Sequence, residues 1–404
     1  MQRPRPLVVV PSRVLVEDGE EISLFRGGPF YRLQMLAHLV AAGRWNLPLR
    51  LSCILAVCWL PLVILTAFYY RDQLAGLLKD YRVYSRIVLA IPILLSGQLL
   101  MESRFRATVM HVREAELLGA DDLRRLNGLL ATMRRLRDYA IPELFIVALI
   151  YTDLGLIWQA KLSTAPSWAA YHSDGVAHMT PAGFYYGLVS VPIYQFLFGL
   201  NLWKWSLWSF FLFRLSRMDL KMVATHPDGH GSLGFLGLSP VAFAPIALAL
   251  SIAIGGTWRS AILNYGARLV DYWPGAVILL VLMFVVALGP LVFFVPKLAK
   301  LRRKGMFEYG VLAQDQAMGF HKKWVVRPHG REGEYLPAPE ISVLADLTVA
   351  YDHIKRMWPF PADKGASITL ALAVLTPLIP VVLAEIPLST ILRGLMQALN
   401  AVPM

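Results

Sequence analysis

Residues 184–258 decide the fold. They hold the apolar run YYGLVSVPIYQFLFGLNLWKWSLWSF (185–210), a polar connection containing His226-Pro227-Asp228-Gly229-His230-Gly231, and a second apolar run, PVAFAPIALALSIAIGGTW (240–258). Each run is close to the about 20 apolar residues that cross about 30 Å of hydrocarbon. A hydrophobic hairpin with its densest polar cluster at the turn is the signature of a membrane protein that presents that cluster at one face of the bilayer.

The rest of the chain agrees. Of 404 residues, 56% are hydrophobic and 16% charged, against about 45–50% and about 25% for soluble domains. Seven runs are long enough to span: 49–70, 84–101, 139–158, 185–210, 240–258, 274–295 and 366–385. The second is interrupted by Arg86 and Pro92. The last, with Pro377, Pro380 and Pro387 in or beside it, either spans or re-enters. The expected fold class is therefore an all-α polytopic membrane protein with about seven transmembrane helices, six plus one of uncertain course, kinked by prolines and joined by helical cytoplasmic segments. At least one of Pro61, Pro92, Pro142, Pro192, Pro245, Pro290 and Pro377 lies in or at the edge of each run. A proline frees a carbonyl one turn back, which membrane helices tolerate where neighbours satisfy it.

Lys and Arg set the orientation. With the N-terminus inside, the inner segments hold seven, eight, three and twelve of them, and the outer segments four, one, two and one. The alternation never fails, and it accounts for the net charge of +12 without nucleic acid. The expected location is the bacterial inner membrane with a cytoplasmic N-terminus. No run before residue 48 is long enough for a signal peptide, so the first span is expected to act as its own targeting signal. The two cysteines, Cys53 and Cys58, share one apolar run and read as packing residues.

The expected organisation is a cytoplasmic arm (1–48), helices one and two (49–101), a cytoplasmic helical segment (102–138), helices three to six (139–296) with the His-Pro-Asp turn at 225–238, a basic and helical cytoplasmic segment (297–365), and a hydrophobic segment with an amphipathic tail (366–404). Within the arm, residues 7–10 and 13–25 alternate like a small hairpin and 30–42 has helical spacing. Asp121 or Asp122 is expected to cap the second helix of 102–136. In 297–364 a basic run (297–304) precedes a helix-like stretch from 310, a Pro- and Gly-rich loop and a further helix.

The run Thr225-His226-Pro227-Asp228 followed by Gly231-Ser232-Leu233-Gly234-Phe235-Leu236 resembles a motif of a group of uncharacterised bacterial multi-pass membrane proteins. Tyr309-Gly310-Val311-Leu312-Ala313 with Lys323-Trp324, and Leu344-Ala345-Asp346-Leu347 before Tyr351, resemble that group's downstream pattern. The likeness covers roughly the C-terminal half. In the group a second glycine stands where this chain has Ser232, and His230 is outside the pattern, which counts against a metal role for His230. The resemblance implies a membrane protein and no activity, because the group's function is unassigned.

Candidate functional residues are those that cost most in hydrocarbon. A charge at a helix centre costs about 2.5–3.5 kcal/mol on insertion scales, so such residues face a bundle interior or a water-filled cavity. Glu143 and Asp153 lie in the third run, and Lys204 lies in the fourth at a depth where it can meet Glu143. Against a functional Lys204 stand Trp203, Trp205 and Trp208, an interfacial girdle from which lysine can snorkel. Gln98, Gln195 and Asn201 add uncharged polar groups, so an intramembrane polar path along helices two to four would be lined by Glu143, Asp153, Lys204, Gln195, Asn201 and Gln98. At the turn, His226, Asp228 and His230 alternate and could offer a divalent ion two imidazoles and a carboxylate. Equally, Pro227 and the glycines describe a tight turn, or His226 and Asp228 with Lys221 and Arg217 contact an anion or lipid headgroup.

Three function classes follow. A channel or transporter for a small ion or solute, with its path along helices two to four, is favoured because intramembrane acids and kinked helices are the costliest features to keep. A scaffold or assembly protein acting through its cytoplasmic helices is the alternative. A metal-dependent membrane enzyme at the cytoplasmic face comes third, and an enzyme of any kind is disfavoured because no nucleotide loop, nucleophile elbow or paired His-Glu helix motif occurs. No cofactor is expected. The expected partners are the lipid bilayer, a small ion or solute and further copies of the chain in a homo-oligomer, with no nucleic acid.

Overall fold

The computed structural model describes residues 23–40, 45–163, 166–173, 176–326 and 338–386. Among them seven helices are long and apolar enough to cross a membrane, and each of the seven sequence runs corresponds to one. This mostly helical architecture is consistent with an all-α multi-pass membrane protein. Span 1 is Leu47–Tyr69 and span 2 is Tyr81–Glu114. Span 3 is Ile141–Ser163, preceded by a charged helix, Ala120–Asp138. Spans 4, 5 and 7 are Pro181–Leu215, Gly234–Tyr265 and Lys364–Glu385. Span 6 begins at Trp273 and continues without a break into a 30-residue helix, Val295–Trp324. The seventh run is one helical stretch of 22 residues, or about 33 Å at 1.5 Å per residue.

The sheet among the described residues is a single hairpin between spans 3 and 4, β1 (Ala170–Ser173) paired antiparallel with β2 (Val176–Met179). It marks one end of the bundle, the hairpin end. The short helix Pro29–Leu36 marks the opposite, arm end.

Prolines explain where the spans depart from α geometry. Tyr84–Ala90 in span 2 and Tyr186–Ser190 in span 4 are π-helical, and Pro92 and Pro192 stand two residues beyond them. A ring without an N–H releases a carbonyl one turn back, and the helix widens by a residue there to re-satisfy its ladder. Pro290 and Pro377 sit instead in 3-10 turns of spans 6 and 7, whereas Pro61 and Pro245 are carried inside α-helix.

Span 5 is the packing centre, and small residues let its neighbours approach. A Cβ on Gly97 of span 2 would lie 2.5 Å from the Pro245 ring, and one on Gly256 would lie 2.1 Å from Ser85 Oγ. Gly255 meets the Pro377 carbonyl of span 7 at a corresponding 2.9 Å. Cys58 is fully buried and both cysteines are free thiols.

Three local expectations change. The helix after Gly119 is not capped by an aspartate side chain: Gly119 is its N-cap. Asp122 turns instead to accept the Asp219 amide at 3.0 Å and an Arg125 bond, tying this helix to the segment after span 4. The basic run 297–304 is not separate from the helix after it, because no proline interrupts it and Gly305 packs directly on Ala224 and Ile354. The helical spacing read over 30–42 ends as helix at Leu36. The alternation at 7–10 and most of that at 13–25, the loop 327–337 and the tail after 386 lie outside the described residues.

Overpacking a tight helix crossing costs about 1–3 kcal/mol. Gly256→Val is therefore expected to lower the thermal unfolding temperature of the detergent-purified protein, while Gly155→Val in span 3, where nothing lies within 4 Å, leaves it within a degree or two.

Candidate functional site

The two π turns place the side chains that matter most. Arg86 lies inside the π turn of span 2 and Tyr186 opens the one in span 4. Arg86 Nη1 donates to Tyr186 Oη at 3.1 Å, and Nη2 donates to Thr257 Oγ1 of span 5 at 3.1 Å. Nearby, Asp80 accepts from the Arg82 amide, from the Arg82 guanidinium and from Trp168 Nε1 at 3.0 Å. Trp168 packs edge-on against Tyr186, and its carbonyl accepts from Thr180 Oγ1. Spans 2, 4 and 5 and the hairpin connection are thereby locked around one space.

That space is a cavity of about 580 Å³, lined by Arg86, Asp153, Gln195, Tyr194, Thr257 and Trp258 among others. Its size falls within the about 300–1,000 Å³ typical of small-molecule sites. Two of the residues singled out from sequence, Asp153 and Gln195, line it. Glu143, Lys204, Asn201 and Gln98 do not. Along spans 2 and 4, between the cavity residues and those four, Ile91, Leu94, Leu95 and Leu197 are completely buried in one apolar cluster. The polar residues of helices two to four therefore fall into two groups separated by packed hydrocarbon side chains.

The second group lies at the arm end, where the N-terminal segment is stitched to span 2, to the charged helix that follows it and to span 3. The Leu24 and Phe25 amides donate to Glu102 Oε2 at 2.9 and 3.2 Å. Arg137 Nη1 donates to the Ser23 carbonyl at 2.9 Å, and the Gly28 amide donates to Asp138 Oδ1 at 3.0 Å. The Phe30 amide donates to Glu143 Oε2 at 2.8 Å, so a carboxylate of span 3 satisfies one of the orphan donors at the start of Pro29–Leu36. Behind these bonds Lys204 is 1% exposed and faces Glu143, Arg137, Asp138 and Glu102. Sequence allows an ion pair between Glu143 and Lys204. The two share the cluster, yet Lys204 Nζ has no hydrogen-bond partner among the described residues. Lys204 does not snorkel. Asn201 stands one turn away on the same face, and Gln98 accepts from the buried Arg50 at 3.1 Å.

The His-Pro-Asp turn is organised by one carboxylate. Asp228 Oδ1 accepts from the His230 amide at 2.8 Å and the Ser232 amide at 3.2 Å, and Oδ2 accepts from the Gly234 amide at 2.8 Å. His226 Nδ1 is 3.0 Å from Oδ1. Burial opposes ionisation of Asp228, but these amide and imidazole contacts outweigh it and hold the carboxyl below the usual range. The amides that a nest would offer to an anion are occupied by the chain's own Asp228. His230 points elsewhere, with Nδ1 3.0 Å from the Trp358 carbonyl. His226, Asp228 and His230 thus do not converge, and no group of three His, Cys, Asp or Glu side chains placed to hold a metal ion occurs among the described residues. Arg217, stacked on Phe213, and Lys221 are exposed on the same side of the molecule.

Arg86 is the residue that sequence reasoning passes over. Charge counting places it with the loops, although an arginine six residues ahead of Pro92 inside an apolar run is itself the signal. Tyr186, Tyr194 and Thr257 carry no such mark, since aromatic and hydroxyl side chains are ordinary in membrane helices.

Comparison with models of protein families, with curated proteins and with solved structures finds no match for this chain.

Ser232 adopts φ +77°, a left-handed conformation that costs a non-glycine residue about 1–2 kcal/mol. Ser232→Gly is expected to raise stability by up to about 1 kcal/mol after the entropy glycine adds to the unfolded chain, and Asp228→Ala to lower it by about 1–3 kcal/mol, both read from thermal unfolding. Because the folded carboxyl is depressed, its contribution is complete above the unfolded value of about 3.9 and is lost as pH falls through the lower, folded one. Hydrogen exchange at the Ser232 and Gly234 amides is expected to speed up in Asp228→Ala at neutral pH.

Proposed function

We propose that the protein is a membrane transport protein for a small solute or ion, with its binding cavity between spans 2, 3, 4 and 5 at the hairpin end. The observation that carries this reading is the cavity itself: about 580 Å³ of space inside a helical bundle, reached by Arg86, Asp153 and Gln195. A bundle built only to anchor or to scaffold gains nothing from keeping charged side chains around an internal space, since charges within spans are costly. The apolar layer of Ile91, Leu94, Leu95 and Leu197 is then the closed barrier of a carrier open toward the hairpin end, and the stitched N-terminal segment is the seal at the other. On the Lys and Arg asymmetry, the arm end faces the cytoplasm of a bacterial inner membrane. Gln98, Asn201, Lys204 and Glu143 are the residues that line the continuation of the path when the barrier parts.

A second reading, assembly through the cytoplasmic helices, is favoured by an exposed apolar stripe of Phe307, Val311 and Met318 on the helix that extends span 6. Their spacing puts them on one face, suited to a partner helix or a second copy of the chain. Loss of co-purifying protein in a variant combining Phe307→Ser, Val311→Ser and Met318→Ser, with unchanged thermal unfolding, would favour this reading.

The transport reading has a ligand-independent test. In a background with Cys53→Ser and Cys58→Ser, a membrane-impermeant thiol reagent is expected to label Gln195→Cys from the hairpin side only and to leave Asn201→Cys unlabelled. Adding Glu143→Ala, which removes the carboxylate that holds the Phe30 amide, is expected to make Asn201→Cys reactive from the arm side. Failure of Gln195→Cys to react from either side would refute the cavity as a solute path.

A further inference from the structure

We propose that the ligand of this cavity is a small monocarboxylate with an apolar body, its carboxylate held by Arg86; this rests on reading the cavity as a solute site. A guanidinium has five N–H donors in a planar fork. Arg86 uses one on Tyr186 and one on Thr257, both neutral hydroxyls. Three donors are left, on a side chain that is half-buried and lines the cavity, where a ligand can reach them. Among the described residues Arg86 makes no ion pair.

Arg82 shows the contrast. It lines the same cavity, but its guanidinium is bonded through two nitrogens to Asp80, which cancels its charge. Asp80 is saturated by these bonds, the Arg82 amide and Trp168. One positive charge of the pair at the mouth is thus neutralised within the protein, and the deeper one is held only by dipoles. A planar carboxylate matches the free fork of Arg86 with two parallel bonds, a geometry a lysine could not offer.

The remaining wall selects the body of the ligand. Trp168, Tyr186, Tyr194, Trp258, Leu250 and Ile254 supply aromatic and aliphatic surface, so a strongly hydrated dianion or a sugar would lose water to groups that cannot replace it. The same carboxylate chemistry reaches a membrane protein from water, as a short aromatic or aliphatic acid, or from the bilayer, as a fatty acid.

The probe is radiolabelled benzoate, added at neutral pH to the full chain purified in detergent, with benzamide, benzylamine and dodecanoate as competitors. Saturable benzoate binding, displaced at least tenfold more weakly by benzamide and benzylamine than by unlabelled benzoate, is expected. Arg86→Gln is expected to weaken it at least tenfold and Arg86→Lys to recover part of the loss. Displacement by dodecanoate at a lower concentration than by benzoate supports the proposal and names the bilayer as the source. Equal competition by benzamide, a preference for benzylamine, or unchanged binding in Arg86→Gln overturns it. The competition among the three benzene derivatives needs no variant, so misfolding of Arg86→Gln leaves a decision in hand. Absent benzoate binding while Gln195→Cys still labels from the hairpin side removes the ligand class alone; loss of that labelling removes the transport reading with it.

Discussion

In hydrocarbon every backbone N–H and C=O has to find its partner inside the protein, because no water is present to take an unmade bond. The described architecture follows from that constraint. Seven helices satisfy their own ladders, and each departure from α geometry stands at a place where something else takes over. The π turns at Tyr84–Ala90 and Tyr186–Ser190 are such departures, and each is followed by a proline that cannot donate. They face one another across the cavity and are joined through Arg86 and Tyr186. The defect in the ladder and the polar contact that exploits it are one feature, produced by proline chemistry and used to set an arginine into the bundle.

The arm end solves a related problem by another route. Glu102, Arg137, Asp138 and Glu143 come from span 2 and the two helices that follow it, and each is bonded by backbone groups of residues 23–30. A hydrogen bond to a charged group contributes about 1.5–3 kcal/mol, and several in series hold a short segment whose large apolar contacts are Leu24, Phe25 and the partly buried Phe30. Lys204 then sits in a pocket of near-balanced charge. Glu143, Asp138 and Glu102 offset part of the cost of its burial, although no direct bond is made. The strength of the seal lies in many moderate bonds to one short strand of chain, whereas the barrier nearer the cavity is packed apolar side chains.

Much of the fold is legible in the sequence because a span is a long signal: some 20 apolar residues in succession rarely serve any purpose but crossing a bilayer, and Lys and Arg alternate with them. Close packing at Gly255 and Gly256 is legible too, since paired small residues in an apolar run have a short list of uses. What cannot be read is which neighbour each polar residue meets. Gln98, Gln195, Asn201, Glu143, Asp153 and Lys204 lie on three helices at suitable depths, but depth does not fix azimuth, and a rotation of one residue in a π turn changes which face looks inward. The six residues therefore read as one path, whereas the structure divides them into a cavity group and an arm-end group. Arg86 escapes for a different reason: a single charge near the end of a hydrophobic run looks like loop chemistry unless the helix is known to continue past it.

The His-Pro-Asp turn shows how alternation can mislead about chemistry. Three polar side chains at every second position would share one side of an extended strand, but Gly229 and Gly231 take positive φ and Ser232 does the same, so the segment coils instead of extending. Coiling points the amides of His230, Ser232 and Gly234 inward, and the nearest acceptor is the Asp228 carboxylate already in the turn. An external anion would have to displace an acceptor that is covalently present at very high effective concentration, and a metal would have to strip three amide bonds from the same oxygens. At the position of Ser232, glycine is the residue for which φ near +77° costs least. The motif is therefore accounted for as a carboxylate-centred turn that joins span 5 to the helix ending at Arg356, through Trp358 and His353, before any ligand is invoked.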